Sequence, residues 1–234
     1  MSASRLMSDM VSEMSARLGF NAQTTLSTAV TNQLQWFLHD AQEQLYWQYE
    51  WEYLRTFWPT TLVVGQQYYP FSAMIDGNGD VPEPRRMRSV HVVVSNLWTP
   101  LQEGINPALY TLTTTSIPVR YARVEQAANG VDTLEIWPTP STAYVIEVEG
   151  QIALRPFAAS TDSTTLDERL VLLFALANAK AHYGMADAGA VMNNATALLN
   201  RLRAQNHGQR RYFANLHDPQ YIPPLPLFTG TWQN

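Results

Sequence analysis

Residues 36–58 read WFLHDAQEQLYWQYEWEYLRTFW, and they close the first helical region of the sequence. Apolar side chains recur at helical spacing across residues 30–45, which places them on one face of a helix. The pattern predicts a helix that begins near Thr25 or Ser27 and ends before Pro59.

The same stretch is dense in aromatic residues, which point to more than one side of the predicted helix. One core face cannot take them all, and aromatic side chains dominate both cores and protein interfaces. Some of them must therefore meet a β-rich part of the chain or another subunit. We predict Trp47 and Trp51 as interface residues within this set: Trp36, Tyr46, Trp47, Tyr49, Trp51, Tyr53, Phe57 and Trp58.

Helical patterns lie on both sides of a middle region in which the apolar residues recur at a different spacing. In residues 1–58, an apolar stripe recurs every four residues across residues 6–18, and Gly19 predicts the end of that helix. In residues 158–207, two apolar stripes separated by Gly184 predict another pair of helices. We therefore predict one helical bundle built from these two regions.

The middle region, residues 59–157, has the pattern of short β-strands. Prolines and the Gly65-Gln66 pair mark turns between runs of β-branched and aromatic residues. Many short strands with turn signals are typical of an antiparallel β-sandwich or a small barrel. The fold class is therefore predicted as α+β, with the β part inserted between the two halves of the bundle. The predicted strands are residues 60–64, 67–71, 89–94, 109–113, 119–124, 134–137 and 143–154.

Residues 208–234 form a proline-rich, apolar tail. Its prolines exclude a regular helix or a central strand, and its apolar content is too high for a disordered linker. No charged residue follows Asp218. We predict an extended arm that docks on a neighbouring surface, with packing on its own domain as the alternative. The predicted contact residues are Arg210, Arg211, Tyr212, Phe213, Tyr221, Ile222, Leu225, Leu227, Phe228 and Trp232.

The whole chain is poor in charge for its size. Of its 234 residues, 15% are charged and 46% hydrophobic, against about 25% charged in an average soluble domain. We therefore predict that other subunits cover part of the surface; the alternative is a neutral domain whose surface is rich in Thr, Gln and Asn. Basic residues are 14 arginines and one lysine, and arginine suits protein interfaces.

Composition and motifs exclude several function classes. The chain has no cysteine, so thiolate metal sites and cysteine nucleophiles are excluded. A net charge of −5 gives no overall basic footprint for nucleic acid. None of the five histidines is spaced as a helical metal ligand pair, and phosphate-loop, nucleophile-elbow and dinucleotide motifs are absent. We predict no enzymatic activity, no cofactor, no bound metal and, without an apolar run of about 18 residues, no membrane association.

The segment Asp76-Gly77-Asn78-Gly79-Asp80 resembles the first half of a calcium loop, because its alternate residues carry oxygen ligands. The second half of that motif is missing, since Val81 stands where glycine is needed and Met87 where glutamate is needed. A tight turn is the better prediction for this sequence.

Two further charge clusters each allow two interpretations. Glu147 and Glu149 share one face of a strand, where a solvated face is favoured over a hydrolytic pair. Arg85, Arg86 and Arg88 form the densest basic patch, for which interface salt bridges are favoured over contacts with phosphates.

The motifs that carry a family resemblance are packing motifs. Ala41-Gln42-Glu43-Gln44-Leu45-Tyr46, followed by Trp51 and Leu54-Arg55, resembles the first long helix of the head-to-tail adaptor proteins of tailed phages, also called connector, head completion or tail tubular A-type proteins. Two later regions resemble the last β segment and the helix pair that follows it: Leu134-Glu135-Ile136-Trp137-Pro138-Thr139-Pro140 with residues 144–150 and Arg155-Pro156, then residues 170–184 with Asp187. The resemblance covers about residues 25–205 and leaves the tail unmatched.

This resemblance implies a structural virion protein without catalytic residues. Family members form a twelve-subunit ring beneath the portal, which extends the DNA channel, seals the filled head and receives the tail. The implied partners are other copies of the chain, the portal above and a tail nozzle or tube protein below. Viral DNA would pass through without specific binding, since acidic subunits repel phosphates. The implied location is the virion neck, after assembly in the host cytoplasm.

Two other function classes compete with the adaptor hypothesis. One is a tail or receptor-binding module that holds carbohydrate on exposed Trp or Tyr side chains of the β part. The other is a cell-wall hydrolase that uses an acidic pair such as Glu147 and Glu149.

Overall fold

The structure is a computed structural model that describes residues 5–20, 27–126 and 131–209. Four helices and ten strands make up these residues. The helices are α1 (Met7–Arg17), α2 (Thr28–Gln48), α3 (Glu168–His182) and α4 (Ala188–Gln209). The strands are β1 (Arg55–Thr61), β2 (Tyr68–Pro70), β3 (Ser89–Val94), β4 (Leu97–Pro100), β5 (Gln102–Glu103), β6 (Thr115–Ser116), β7 (Arg120–Gln126), β8 (Val131–Trp137), β9 (Thr139–Pro140) and β10 (Val145–Gln151).

The helices from both ends of the sequence share one apolar core. Met10 and Met14 of α1 pack with Leu38 of α2, Leu170 of α3 and Leu199 of α4 in a single cluster of buried residues. Side-chain caps begin two of these helices: Ser27 accepts from the backbone of α2, and Asp167 accepts from the backbone of α3. The predicted α+β class is confirmed, and the two helical regions lie together as expected.

The β-rich part consists of two four-stranded sheets and a small two-stranded one. The first large sheet has the order β1-β10-β3-β4, with antiparallel neighbours throughout; the second has the order β2-β8-β7-β5. Trp58, Val90 and Ile146 of the first sheet pack with Leu134 and Ile136 of the second in one core. The sandwich-like prediction is therefore right, although β5 pairs with β7 and β6 with β9 in parallel.

The end of the second helix agrees with the sequence prediction, and one predicted strand does not. The second helix ends at Gln48, before Pro59 as predicted; Tyr49 is extended, and the indole N–H of Trp51 donates to the carbonyl of Leu45 at 3.1 Å. The predicted strand 109–113 is wrong: Pro107–Thr111 is a 3₁₀ helix. Its first turn is stabilised by the Asn106 side chain, which accepts from the backbone N–H of Ala108 at 3.0 Å.

Arg86 joins the β-rich part to the C-terminal end of α2. Its guanidinium donates to the carbonyls of Tyr46 at 2.6 Å and Tyr49 at 2.9 Å, and to the side chain of Gln151 at 2.7 Å. It also lies over the Tyr46 ring, 4.4 Å from the centroid. The last carbonyls of a helix lack intrahelical donors, so a cation at this position is stabilising.

Candidate functional site

The outer face of the first sheet carries an exposed aromatic cluster. Because side chains alternate along a strand, Trp58 of β1 points into the core while Phe57 points outward. The Phe57 ring meets the ring of Trp98 from β4 at 5.7 Å, and Trp98 lies 5.8 Å from the ring of His91 on β3. Leu97, beside Trp98, is 68% exposed. Leu97 precedes Trp98 on β4, so its side chain points to the other face of this edge strand. We name Phe57, His91 and Trp98 the aromatic patch.

Glu147 and Glu149 lie on the same face but have different surroundings. Glu149 is buried, forms an ion pair with Arg55, and accepts from the hydroxyl of Ser89 at 2.6 Å. Glu147 makes no hydrogen bond or ion pair with any of the described residues; burial raises its pKa and the neighbouring His91 partly opposes that shift. The expected solvated acidic face is therefore wrong for Glu149, and a hydrolytic pair would have one carboxylate already engaged.

A second candidate surface is a groove of about 490 Å³ between the helices. Its apolar walls include Leu173 of α3 and Leu198 of α4, and Arg17, Arg169 and Arg201 line the same groove. Arg17 pairs with a glutamate of its own helix, Glu13. Arg169 and Arg201 have no ion pair or hydrogen bond within the part of the chain that the structure describes. We name this surface the arginine groove.

Of the predicted interface residues, one is exposed, one is buried, and the others lie outside the described residues. Trp47 is 43% exposed beside Arg86, so it stays available for a contact with another chain. Trp51 is fully buried in the helical core, which corrects its assignment as an interface residue. The predicted arm residues lie outside the described residues, and their contacts stay a prediction: Arg210, Arg211, Tyr212, Phe213, Tyr221, Ile222, Leu225, Leu227, Phe228 and Trp232.

The basic patch is largely engaged within the chain. Arg86 caps α2 as described, and Arg88 pairs with Glu50 at 2.9 Å. The Arg85 side chain is exposed, and its one ion pair among the described residues is a 3.9 Å contact to Glu125. These arginines mostly connect parts of one chain, so the expectation of contacts between subunits is not supported for Arg86 and Arg88.

The Asp76–Asp80 segment forms the predicted turn. Oδ1 of Asp76 accepts from the backbone N–H groups of Asn78 and Asp80, both at 2.8 Å. Burial raises the pKa of Asp76, but these hydrogen bonds outweigh that effect and hold it below its usual value. Asp80 in turn binds Arg155. Among the described residues, no group of three or more His, Asp or Glu side chains is placed to hold a metal.

Sequence reasoning missed a buried carboxylate on β8. Glu135 accepts from the side-chain amide of Gln67 at 2.7 Å and from the hydroxyls of Tyr68 at 3.2 Å and Tyr110 at 3.0 Å. Burial and the neighbouring carboxylate raise the pKa of both tyrosines. The alternation Leu134-Glu135-Ile136 suggests a solvent-facing side chain, so the pattern gave no signal of this burial.

Two unlike exposed surfaces, one aromatic and one lined by arginines, are typical of a protein that works through contacts with other chains. Comparison with known protein families identifies the kind of protein to which these surfaces belong. The family model described as SU10 adaptor protein matches residues 6–222. The chain therefore belongs to the SU10 adaptor family of phage structural proteins. No curated protein matches the sequence. Among the described residues, no helix combines the length and apolarity needed to cross a membrane.

Proposed function

We propose that this protein forms a ring between the portal and the tail of a phage virion. The family match across residues 6–222 is the observation that carries the proposal. The ring extends the DNA channel, seals the filled head and provides the attachment site for the tail. Its net charge of −5 per subunit supports a channel along which DNA slides without adhering.

The proposed partners are further copies of this chain, in a ring of twelve, with the portal above and a tail nozzle or tube protein below. The exposed aromatic patch and the arginine groove support a chain with neighbours on two sides. Residues 210–234, which follow the end of α4 at Gln209, serve as the arm that docks on the portal or on the next subunit. Assembly takes place in the host cytoplasm, and the finished ring lies at the virion neck.

The test is to incubate the purified protein with portal rings, then measure particle mass and image the particles by negative stain. A second ring of density beneath the portal, with a mass increase that gives the number of subunits, is the expected result. The free protein can be monomeric under the proposal, because such rings can form only on the preceding ring. A protein that stays monomeric in the presence of portal rings would contradict the proposed function.

A further inference from the structure

We propose that the aromatic patch of one subunit packs into the arginine groove of the next, and that this pair of surfaces is the repeating contact between copies of the chain. The inference rests on the proposed function only in supposing that copies meet in a ring. A contact between two different surfaces of each subunit is heterologous, and repetition of such a contact generates a ring when the rotation closes.

The arginine groove has room for side chains of a neighbouring chain. Its volume of about 490 Å³ is within the range of about 300–1,000 Å³ of pockets that bury a small organic ligand. Asn194, Ala197, Leu198 and Arg201 of α4 all line it, and their spacing puts them on one face of the helix. Along the open side of the groove, that face of α4 therefore packs against no other described residue.

The aromatic patch includes a side chain near the tip of a hairpin, and ring contacts hold that side chain in place. Leu97 and Trp98 follow a two-residue turn in which Ser95 and Asn96 have φ values of 50° and 63°, so they lie at the tip of the β3–β4 hairpin. All four residues of β4 are exposed. Trp98 is already held by ring contacts with Phe57, so its docking loses little side-chain entropy.

Charge complementarity selects a second copy as the occupant. The groove offers the guanidinium groups of Arg169 and Arg201, which have no anionic partner among the described residues. The patch offers the faces of its aromatic rings, which attract guanidinium groups. The carboxylate of Glu147 lies beside the ring of His91 and forms no ion pair with a described residue.

The same charges disfavour contacts between identical surfaces. Two arginine grooves facing each other would bring together unpaired cations, and two aromatic patches would bring together two Glu147 carboxylates. Like charges in contact are destabilising, so each surface prefers the other one. This preference gives the contact a direction, which an assembly with a heterologous interface needs.

Disulfide cross-linking tests this contact directly, because the chain has no cysteine of its own. Leu97→Cys labels the edge strand that carries Trp98, and Ala197→Cys labels the groove; both positions are exposed. Under mild oxidation at high protein concentration, a mixture of the two variants is expected to form cross-linked dimers. Each variant alone should remain monomeric, and the chain with both substitutions should form a ladder of multimers.

The matched control is Thr196→Cys, which is exposed on the same helix. Position 196 points away from the groove, because it lies about 100° around the helix from Ala197 and further still from Leu198. Cross-linking of Leu97→Cys to Ala197→Cys should exceed cross-linking to the control by at least about tenfold, the factor that corresponds to about 1.4 kcal/mol. Arg169→Glu and Arg201→Glu together should abolish this excess. Thermal unfolding of each variant shows whether its fold is intact.

The variants are oxidised both free in solution and bound to portal rings, because the free protein can be monomeric. Three results in both preparations would overturn the inference: equal cross-linking to the groove and control positions, preferential joining of two Leu97→Cys chains, or no cross-linking at all. If the arm occupies the groove instead, Ala197→Cys resists maleimide labelling until residues 213–234 are deleted, which also overturns the inference. Cross-linking of the free protein at high concentration does not require portal binding. Cross-linking without portal binding would contradict the proposed function alone, and portal-bound rings without cross-linking would contradict this inference alone.

Discussion

Outside the two candidate surfaces, Arg86 is the residue whose contacts join the helical core to the β-rich part. One guanidinium group supplies donors to the carbonyls of Tyr46 and Tyr49 at the end of α2, and to Gln151 on β10. It thereby holds the helical core and the β-rich part together at the point where the chain changes from helix to strand.

Arg86→Met is expected to lower the free energy of unfolding by about 2–4 kcal/mol, because partly buried carbonyls lose a charged donor and gain none. The neighbouring Arg85 is the control. Its side chain is exposed with one long contact, so Arg85→Met should change stability by less than about 1 kcal/mol. Urea unfolding followed by circular dichroism measures both, and equal effects of the two substitutions would contradict the role given to Arg86.

Glu147 and Glu149 are expected to respond in opposite directions when each is replaced by glutamine. The pKa of Glu147 is raised in the folded state, so its stability contribution falls as pH rises from the unfolded pKa through the folded one. Glu147→Gln should therefore stabilise the protein slightly at pH 7, with the difference vanishing in acid. Because solvent reaches this carboxylate, the effect is small.

Glu149→Gln should instead destabilise the protein, by about 1 kcal/mol, because Arg55 keeps its ion pair with Glu52 but loses the one with Glu149, and the hydrogen bond from Ser89 weakens. Thermal unfolding at pH 4 and pH 7 compares the two substitutions on the same strand. The same sign for both at pH 7 would show that the two carboxylates are equivalent.

At the scale of elements, Tyr110 is the side chain of the 3₁₀ helix Pro107–Thr111 that hydrogen-bonds to the second sheet among the described residues. Tyr110 reaches Glu135 of β8, a carboxylate that Tyr68 of β2 also contacts. The segment itself has exposed residues on both sides, so this hydrogen bond is a main restraint on its position.

Tyr110→Phe is expected to speed amide hydrogen exchange across residues 107–112 by about five- to tenfold, since a hydrogen bond to a charged group contributes about 1.5 kcal/mol or more. Tyr68→Phe removes a donor to the same carboxylate but lies within β2, so exchange at residues 107–112 should change much less. Exchange monitored by mass spectrometry after peptic digestion distinguishes the two. Equal acceleration would mean that Glu135, rather than Tyr110, positions the segment.

Elements with strong local signals were predicted well. Strand β3 was predicted with the bounds that the structure has, because Val90 and Val92 alternate with more exposed residues. The glycines at 19 and 184 end helices with φ values of 77° and 66°, as the sequence predicted. Strand β4 was missed because its residues are exposed on both faces and show no alternation.

At the scale of the whole molecule, the low charge of the chain has two structural counterparts. The aromatic patch is an exposed apolar surface on the β-rich part, and the arginine groove is an apolar surface lined by cations on the helical part. The proposed ring covers both, and the proposed arm, residues 210–234, lies outside the described residues.

Deletion of residues 213–234 is expected to abolish assembly on portal rings and to leave the fold intact, because the described core draws on residues before 210. Circular dichroism and thermal unfolding serve as the control for the fold. Sedimentation with portal rings measures assembly, and unchanged co-sedimentation of the shortened chain would contradict the docking role of the arm.

The sequence by itself determined the order of helical and β-rich regions, the α+β class and the family resemblance, because periodicity and turn residues act over short stretches of chain. Tertiary structure decided that Trp51 is core, that Arg86 caps α2, that Glu135 is buried, and that Phe57 meets Trp98. These contacts join residues far apart in the sequence, and their partners are chosen by packing and by the cost of burying an unpaired polar group, which no local pattern records.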